Sequence, residues 1–503
     1  MGSGTTAVDG GRAGHAGCSG VIGGGHAARR AGRWTAARAM VTVALLCAVL
    51  AGAGGERGAG ANPVALPGIA PPSFLYEPPQ PVPYTSGQGW RFASATYNST
   101  GFYADACLDG AESSSECVLD LTFNDYGKVC AAGWATVGDS YRFVAARLIG
   151  GAQGGFDPEF GGDGAVVTDF TRGSHEFAYA VAVDGNNNTV LGGGMWRTAD
   201  EATTAEGERL WFALARYRAP GGLDDCVSAA QPGFSSDGKQ FTDVPGSLHE
   251  CITDIAIDDQ NRIIAAGWGY TNGHYVIALA RYTAQGELDA SFGVGGTVLT
   301  NLPDDPDEGA VAVALAGGQI LVAAQAGTLD GPRRIALVSY NAASGSYMGT
   351  RYLGATGSGQ SLRVKDMAVH GSDVVLAGTF ELSSTVSRFF VAKASVLGGW
   401  DAGFGAGGIA LIDFTASNQE EALAVDLFPS GNIAVGGYAV VGGNDRFAVA
   451  KLNPNGQLIQ GFGFGGKLLT DIAGTKDERI HAVCAYTVQG EEGILAGGVC
   501  GSW

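Results

Sequence analysis

From residue 89 onward, apolar and polar positions alternate in short bursts, as in Ala178 to Val183 (AYAVAV) and Arg446 to Leu452 (RFAVAKL), and glycine or Asp-Gly cuts each burst short. Alternation with a period of two puts every second side chain on one face of a strand, and no stretch between the bursts repeats at the helical period. The bursts group in fours. A first strand is followed by a turn such as Asp184-Gly185, then by an apolar second strand such as Ile263 to Ala266 (IIAA) that ends in Ala-Gly or Gly-Gly. A third strand such as Arg446 to Leu452 and a glycine turn lead into a fourth, as in Phe292 to Thr300 (FGVGGTVLT). The end of the second strand recurs at Gly133, Gly193, Gly267, Ala324, Gly378, Gly437 and Gly498, with insertions near 197–208 and 224–233 absorbing the longest interval. Four short strands per roughly 60 residues match a propeller blade better than a solenoid coil.

The two ends of the repeat region say how it closes. The seventh unit stops after its second strand, at Gly498-Val499-Cys500, while Arg91 to Asn98 (RFASATYN) reads like the third strand Arg446 to Asn453 (RFAVAKLN). A linear solenoid has no reason to split a repeat between its termini, whereas a closed ring does, because pairing both ends in one blade removes free sheet edges. The pattern therefore predicts an all-β, seven-bladed β-propeller over residues 89–503, closed by an N-terminal strand.

The glycine turn carries a motif: Leu288-Asp289-Ala290-Ser291-Phe292-Gly293, Trp400-Asp401-Ala402-Gly403-Phe404-Gly405 and Phe156-Asp157-Pro158-Glu159-Phe160-Gly161, more loosely around Phe234 and Phe462. With the VAVD-type first strand and the RFALARY-type third strand, it resembles the delta-60 repeat of bacterial secreted and surface-associated proteins. The resemblance spans residues 89–503 and implies propeller-like folding in an exported bacterial protein, periplasmic, secreted or at the cell surface. It implies no catalytic residues.

Composition adds export and acidity. Arg29, Arg30, Arg33 and Arg38 precede an apolar run from Met40 to Leu50 and the small residues Ala51, Gly52 and Ala53, the order of a secretory signal. The run is short for a permanent transmembrane helix. Residues 1–61 are read as a leader and the Pro-rich residues 62–88 as an extended linker. The net charge is −19, and the leader holds six Arg against one Asp and one Glu. The remainder is therefore more acidic still, a surface that repels phosphate backbones and argues against nucleic acid. Glycine, at 83 of 503 residues, fits many tight turns.

Three sets of residues invite chemistry. Glu116, Glu176, Glu250, Glu308, Glu420 and Glu478 occupy one position near the start of the first strand, with Leu362 in the fifth unit. Six carboxylates around one channel mouth could hold Ca²⁺ or attract a cation; alternatively each pairs with a neighbouring Arg. Asp169, Asp243, Asn301, Asp413 and Asp471 end the fourth strand, opposite Arg142, Arg388 and Arg446 in three units, as expected of cross-strand ion pairs. His175 and His249 are equivalent and could face each other as a metal pair. Seven cysteines follow the leader, and short separations suggest disulfides Cys107–Cys117, Cys226–Cys251 and Cys484–Cys500, with Cys130 left as a core side chain.

No H-E-x-x-H, G-x-S-x-G, P-loop or EF-hand sequence is present. The reading favoured by the repeats is an exported, monomeric, non-catalytic scaffold for an extracellular protein or carbohydrate partner. The alternative is a propeller hydrolase or lyase with a metal at the channel mouth, which needs unlike polar residues converging from different blades.

Overall fold

The computed structural model describes residues 113–501, except 139, 150–154, 171–174, 198–208, 226–232, 304, 329–330, 355–360, 415–417 and 472–476, together with the strands Val43–Val49, Phe92–Thr96 and Phe102–Ala106. Every regular element among these residues is a β-strand, and no helix is long and apolar enough to cross a membrane.

Six antiparallel sheets of four strands follow one another along the chain. Blade one comprises Ser113–Phe123, Val129–Val137, Ser140–Leu148 and Ala165–Thr168; blade two His175–Val183, Thr189–Arg197, Arg209–Tyr217 and Lys239–Thr242. Blade three comprises His249–Ile257, Ile263–Thr271, His274–Tyr282 and Thr297–Thr300; blade four Asp307–Ala316, Gln319–Gly327, Arg333–Asn341 and Tyr347–Leu353. Blade five comprises Ser361–His370, Asp373–Ser383, Val386–Ser395 and Ile409–Ile412; blade six Glu420–Leu427, Ile433–Val441, Asn444–Leu452 and Lys467–Thr470. The chain then ends in a hairpin, Asp477–Val488 with Glu491–Gly501. In each blade the first strand is innermost, against the first strands of its neighbours, and those of the hairpin and blade one complete the circle. The fold is a β-propeller.

Neighbouring sheets share their cores, which is what makes the ring cohere. Cys130, Phe143 and Phe160 of blade one pack with Ala178, Leu191 and Tyr217 of blade two, and the pattern repeats round the ring. Ala482, Cys484 and Leu495 of the hairpin pack on Val118, Leu121 and Ala146 of blade one. Burial of such apolar area is the main favourable term, roughly 25 cal/mol per Å².

Two expectations need correction here. Among the described residues the complete blades number six, not seven. The strand expected to join the hairpin, Phe92–Thr96, instead lies between Val43–Val49 and Phe102–Ala106. It is Val43–Val49 that runs beside the hairpin, parallel to it, from Val43 opposite Ile494 to Val49 opposite Cys500. An unpaired edge accepts whichever strand satisfies its backbone groups; the run VALLCAV is the more apolar strand-former, and a match of third-strand phrases does not encode that competition. The rest of the leader and the linker lie outside the described residues.

The Ala-Gly signature has a local cause. Each first strand carries a β-bulge, at residues 119, 179, 253, 311, 365, 423 and 481 in turn. The bulge presses its backbone against the second strand, so that a Cβ on Gly193 would stand 1.7 Å from the Phe177 carbonyl oxygen and one on Gly267 1.9 Å from that of Cys251. Glycine, the residue without a Cβ, suits that approach; blade four has Ala324 there instead, opposite Ala310.

The Asp-x-x-Phe-Gly motif forms a clasp between blades. Arg281, at the end of the third strand of blade three, donates from Nε to Asp289 at 2.9 Å and lies 4.7 Å from the centroid of the Phe292 ring. It also donates to the Ala342 and Ala343 carbonyls of blade four at 2.6 and 2.8 Å. Arg147 with Asp157 and Phe160, and Arg216 with Asp224 and Phe234, repeat the arrangement and donate to the Ala219 and Ala284 carbonyls of the next blade.

Candidate functional site

The repeated glutamates serve the walls rather than a shared centre. Glu176, Glu250, Glu308, Glu420 and Glu478 are fully buried. The Oε1 atoms of the first four accept the backbone N–H six residues earlier, from Phe170 at 3.3 Å, Val244 at 2.9 Å, Leu302 at 2.6 Å and Phe414 at 2.9 Å, so each carboxyl closes the loop that enters its own blade. Arg142 reaches both Glu176 at 3.4 Å and Asp169 at 3.3 Å, and Arg388 both Glu420 at 3.9 Å and Asp413 at 3.4 Å. Arg446 meets Asp471 at 3.4 Å, which with the Arg142 and Arg388 pairs makes up the cross-strand set the sequence suggested, and Arg209 adds a pair with Asp243 at 3.5 Å. Burial pushes the carboxyls of Glu250 and Glu308 up to about 8. The Glu116 side chain lies outside the described residues. Among those residues no three His, Cys, Asp or Glu side chains cluster closely enough to hold a metal such as Ca²⁺.

The histidine pair is also divided. His175 Nδ1 accepts the Tyr141 N–H and His249 Nδ1 the Leu210 N–H, both at 3.3 Å, so each ring caps the third strand of the preceding blade. No disulfide is seen among the described residues, where Cys117, Cys251 and Cys484 are buried. In the closing hairpin Cys484 stands opposite Leu495 and Cys500 opposite Glu478, so register separates that pair. Cys107 and Cys226 lie outside the described residues.

What converges instead is a set that breaks the repeat. Two residues before each bulge, blades one to four place Cys117, Phe177, Cys251 and Gly309, whereas blade five, blade six and the hairpin place Arg363, Glu421 and Arg479. Arg363 pairs with Glu381 at 2.6 Å, Arg479 with Asp445 at 2.5 Å, and Lys365 stands 4.0 Å from Glu421. The Arg479 guanidinium lies 4.5 Å from the centroid of the Tyr438 ring. On the other sector, Trp134, Tyr141, Phe177 and Tyr179 form one aromatic cluster with Cys117 and Leu119, and Trp196, Trp268, Tyr270 and Tyr275 another.

The bulge residues line the neck below this mouth: Leu119, Tyr179, Thr253, Val311, Lys365, Leu423 and His481. Tyr179, in blade two, packs against both clusters, that of blade one on one side and that of blades two and three on the other. Burial first, then repulsion from Arg479 and from Lys365 of blade five, together lower the pKa of His481 to about 3, so the imidazole is neutral. Sequence reasoning followed identical positions and passed over these; the available signal was the departure of SLRVKDMAVH and DERIHAVCAY from the repeat.

A family described as a β-propeller domain of unknown function (DUF5122) matches residues 261–292 and 429–458, stretches that run from the second strand through the third in blades three and six. No curated protein sequence matches the chain. Among solved structures, a protein of unknown function from Dyadobacter fermentans is 9% identical, with a TM-score of 0.40 over 67% of this chain and 94% of that one. The polysaccharide lyase Uly1 is 10% identical, with a TM-score of 0.40 over 74% and 85%. The PQQ-bound aldose sugar dehydrogenase of Streptomyces coelicolor is 14% identical, with a TM-score of 0.32 over 57% and 81%. At such scores these likenesses carry no argument about what this chain does.

Proposed function

We propose that this protein is an exported propeller scaffold, of the delta-60 type, that binds an extracellular carbohydrate or protein partner at the mouth of its channel. The observation that supports this reading is a division of labour among polar side chains. Those that recur from blade to blade, Glu176 with Arg142 and Asp289 with Arg281 among them, hold loops and neighbouring blades. Those that break the repeat, Arg363, Lys365, Glu421, Tyr438 and Arg479, stand on the inner strands of blade five, blade six and the closing hairpin. A rigid ring with an irregular mouth suits recognition on preorganised elements.

The test is a binding screen of the full chain against glycan arrays and proteins of the extracellular medium, repeated with Glu421→Lys at the mouth and Phe464→Ser at a distant, exposed turn. The expected result is a partner lost with Glu421→Lys and retained with Phe464→Ser; equal binding by both variants overturns the reading.

A second reading, a hydrolase or lyase, draws support from the same convergence of unlike polar groups. Incubation with neutral and acidic polysaccharides separates the two, since new reducing ends or unsaturated products favour the enzyme.

Export also bears on closure. Removal of the leader takes Val43–Val49 away and bares the edge from Ile494 to Cys500. In the mature chain Phe92–Thr96 then takes that edge and completes a seventh blade. A chain lacking residues 1–61 is expected to remain monomeric and one lacking residues 1–100 to aggregate, as read by light scattering; equal behaviour of the two overturns this closure.

A further inference from the structure

The seven bulge positions act as one another's controls. Five carry Leu, Tyr, Thr, Val and Leu, so the fold does not require a charge there. Lys365 nevertheless places an ammonium in this ring, 19% exposed, and its ion-pair partner Glu421 is 4.0 Å away, beyond hydrogen-bond distance. A charge held in a partly desolvated neck lowers stability unless something offsets it. The neck's other polar groups are the hydroxyls of Tyr179 and Thr253 and the imidazole of His481. The Thr253 hydroxyl is already engaged with the Ala310 carbonyl at 2.9 Å. Behind the neck, Glu381 and Asp445 are spent on Arg363 and Arg479. The remainder of the ring is largely apolar, with Leu119 of blade one, Phe177 and Tyr179 of blade two and Val311 of blade four.

We propose that the channel neck is a binding site for a small ring-bearing carboxylate, which sets its anionic group on Lys365 beside His481 and its ring against the Phe177 and Tyr179 sector. The inference rests on the mouth being the recognition face and names the chemistry of its ligand. A neutral imidazole supports it, because His481 can donate one hydrogen bond to a carboxylate without its own charge to solvate. A sugar acid and an aromatic acid share this chemistry.

Isothermal titration of the full chain with D-glucuronate, benzoate and D-glucose tests it. Glucuronate or benzoate is expected to bind, with affinity falling as salt rises, and glucose to bind at least about ten-fold more weakly; which acid binds identifies the source. Lys365→Met is expected to weaken the acid about ten-fold or more while the melting temperature of the unliganded protein holds or rises. Lys365→Arg keeps the charge and serves if the first variant fails to fold; it is expected to retain salt-sensitive binding. Absence of binding by both acids, or unchanged affinity in Lys365→Met, overturns the proposal. A mouth-directed partner that is indifferent to Lys365 overturns it while leaving the scaffold reading in place.

Discussion

Arg281 is a fully buried charge whose place in the fold depends on Asp289, on the Phe292 ring and on two carbonyls of the next blade. Removing one partner of such a group leaves the other uncompensated, which costs far more than the intact pair contributes. Asp289→Ala is expected to lower stability by about 3–5 kcal/mol, read as a shift in the denaturant midpoint at constant slope. Glu308 is the contrasting case: its Oε1 accepts the Leu302 N–H, while its Oε2 is buried with no hydrogen-bond partner among the described residues. Its carboxyl is raised from 4.5 to about 8 by burial, so the folded state favours the protonated form. That contribution is fully present below the unfolded value and is lost as pH rises from about 4.5 through about 8. Glu308→Gln, which imitates the protonated acid, is expected to melt progressively higher than the parent across this window and to hold a constant advantage above it. Parallel melting curves at all pH values would refute the assignment.

At the scale of elements, the clasp turn joins each blade to the next by shape as well as by charge. Gly286, in the turn after the third strand of blade three, has φ of +87°, and a Cβ there would stand 2.8 Å from the Phe234 ring of blade two. Gly345 bears the same relation to Phe292. Gly286→Ala is therefore expected to cost about 1–3 kcal/mol, from left-handed backbone strain and the ring contact together, measured by thermal unfolding; a change within a few tenths would show that the turn relaxes freely. The strands and the glycine turns were legible because their period of two and their φ demands act over a few residues. The bulge in each first strand was not, although its trace was present in the Ala-Gly ending opposite it. Its consequence, turning Lys365 and His481 toward a common axis, could not be read from alternation alone, since a bulge interrupts that alternation.

For the whole molecule, the ring decides which of the sequence's repeated residues meet. If the buried glutamates are loop closures, the melting temperature is the same in EDTA and in Ca²⁺, and a metal-dependent shift would reinstate a cation site among them. The sequence by itself determined that the chain is a β-propeller of repeated four-strand units and that its third-strand Arg and fourth-strand Asp residues pair. These follow from local periodicity and from register within one sheet. Tertiary structure alone decided that Val43–Val49 lies beside the closing hairpin, that Cys484 faces Leu495 instead of Cys500, and that the charge of Lys365 is felt at the imidazole of His481. The physical reason is that these pairings are contests between distant segments for one edge or one axis. A side chain 116 positions away carries no local periodicity that announces it.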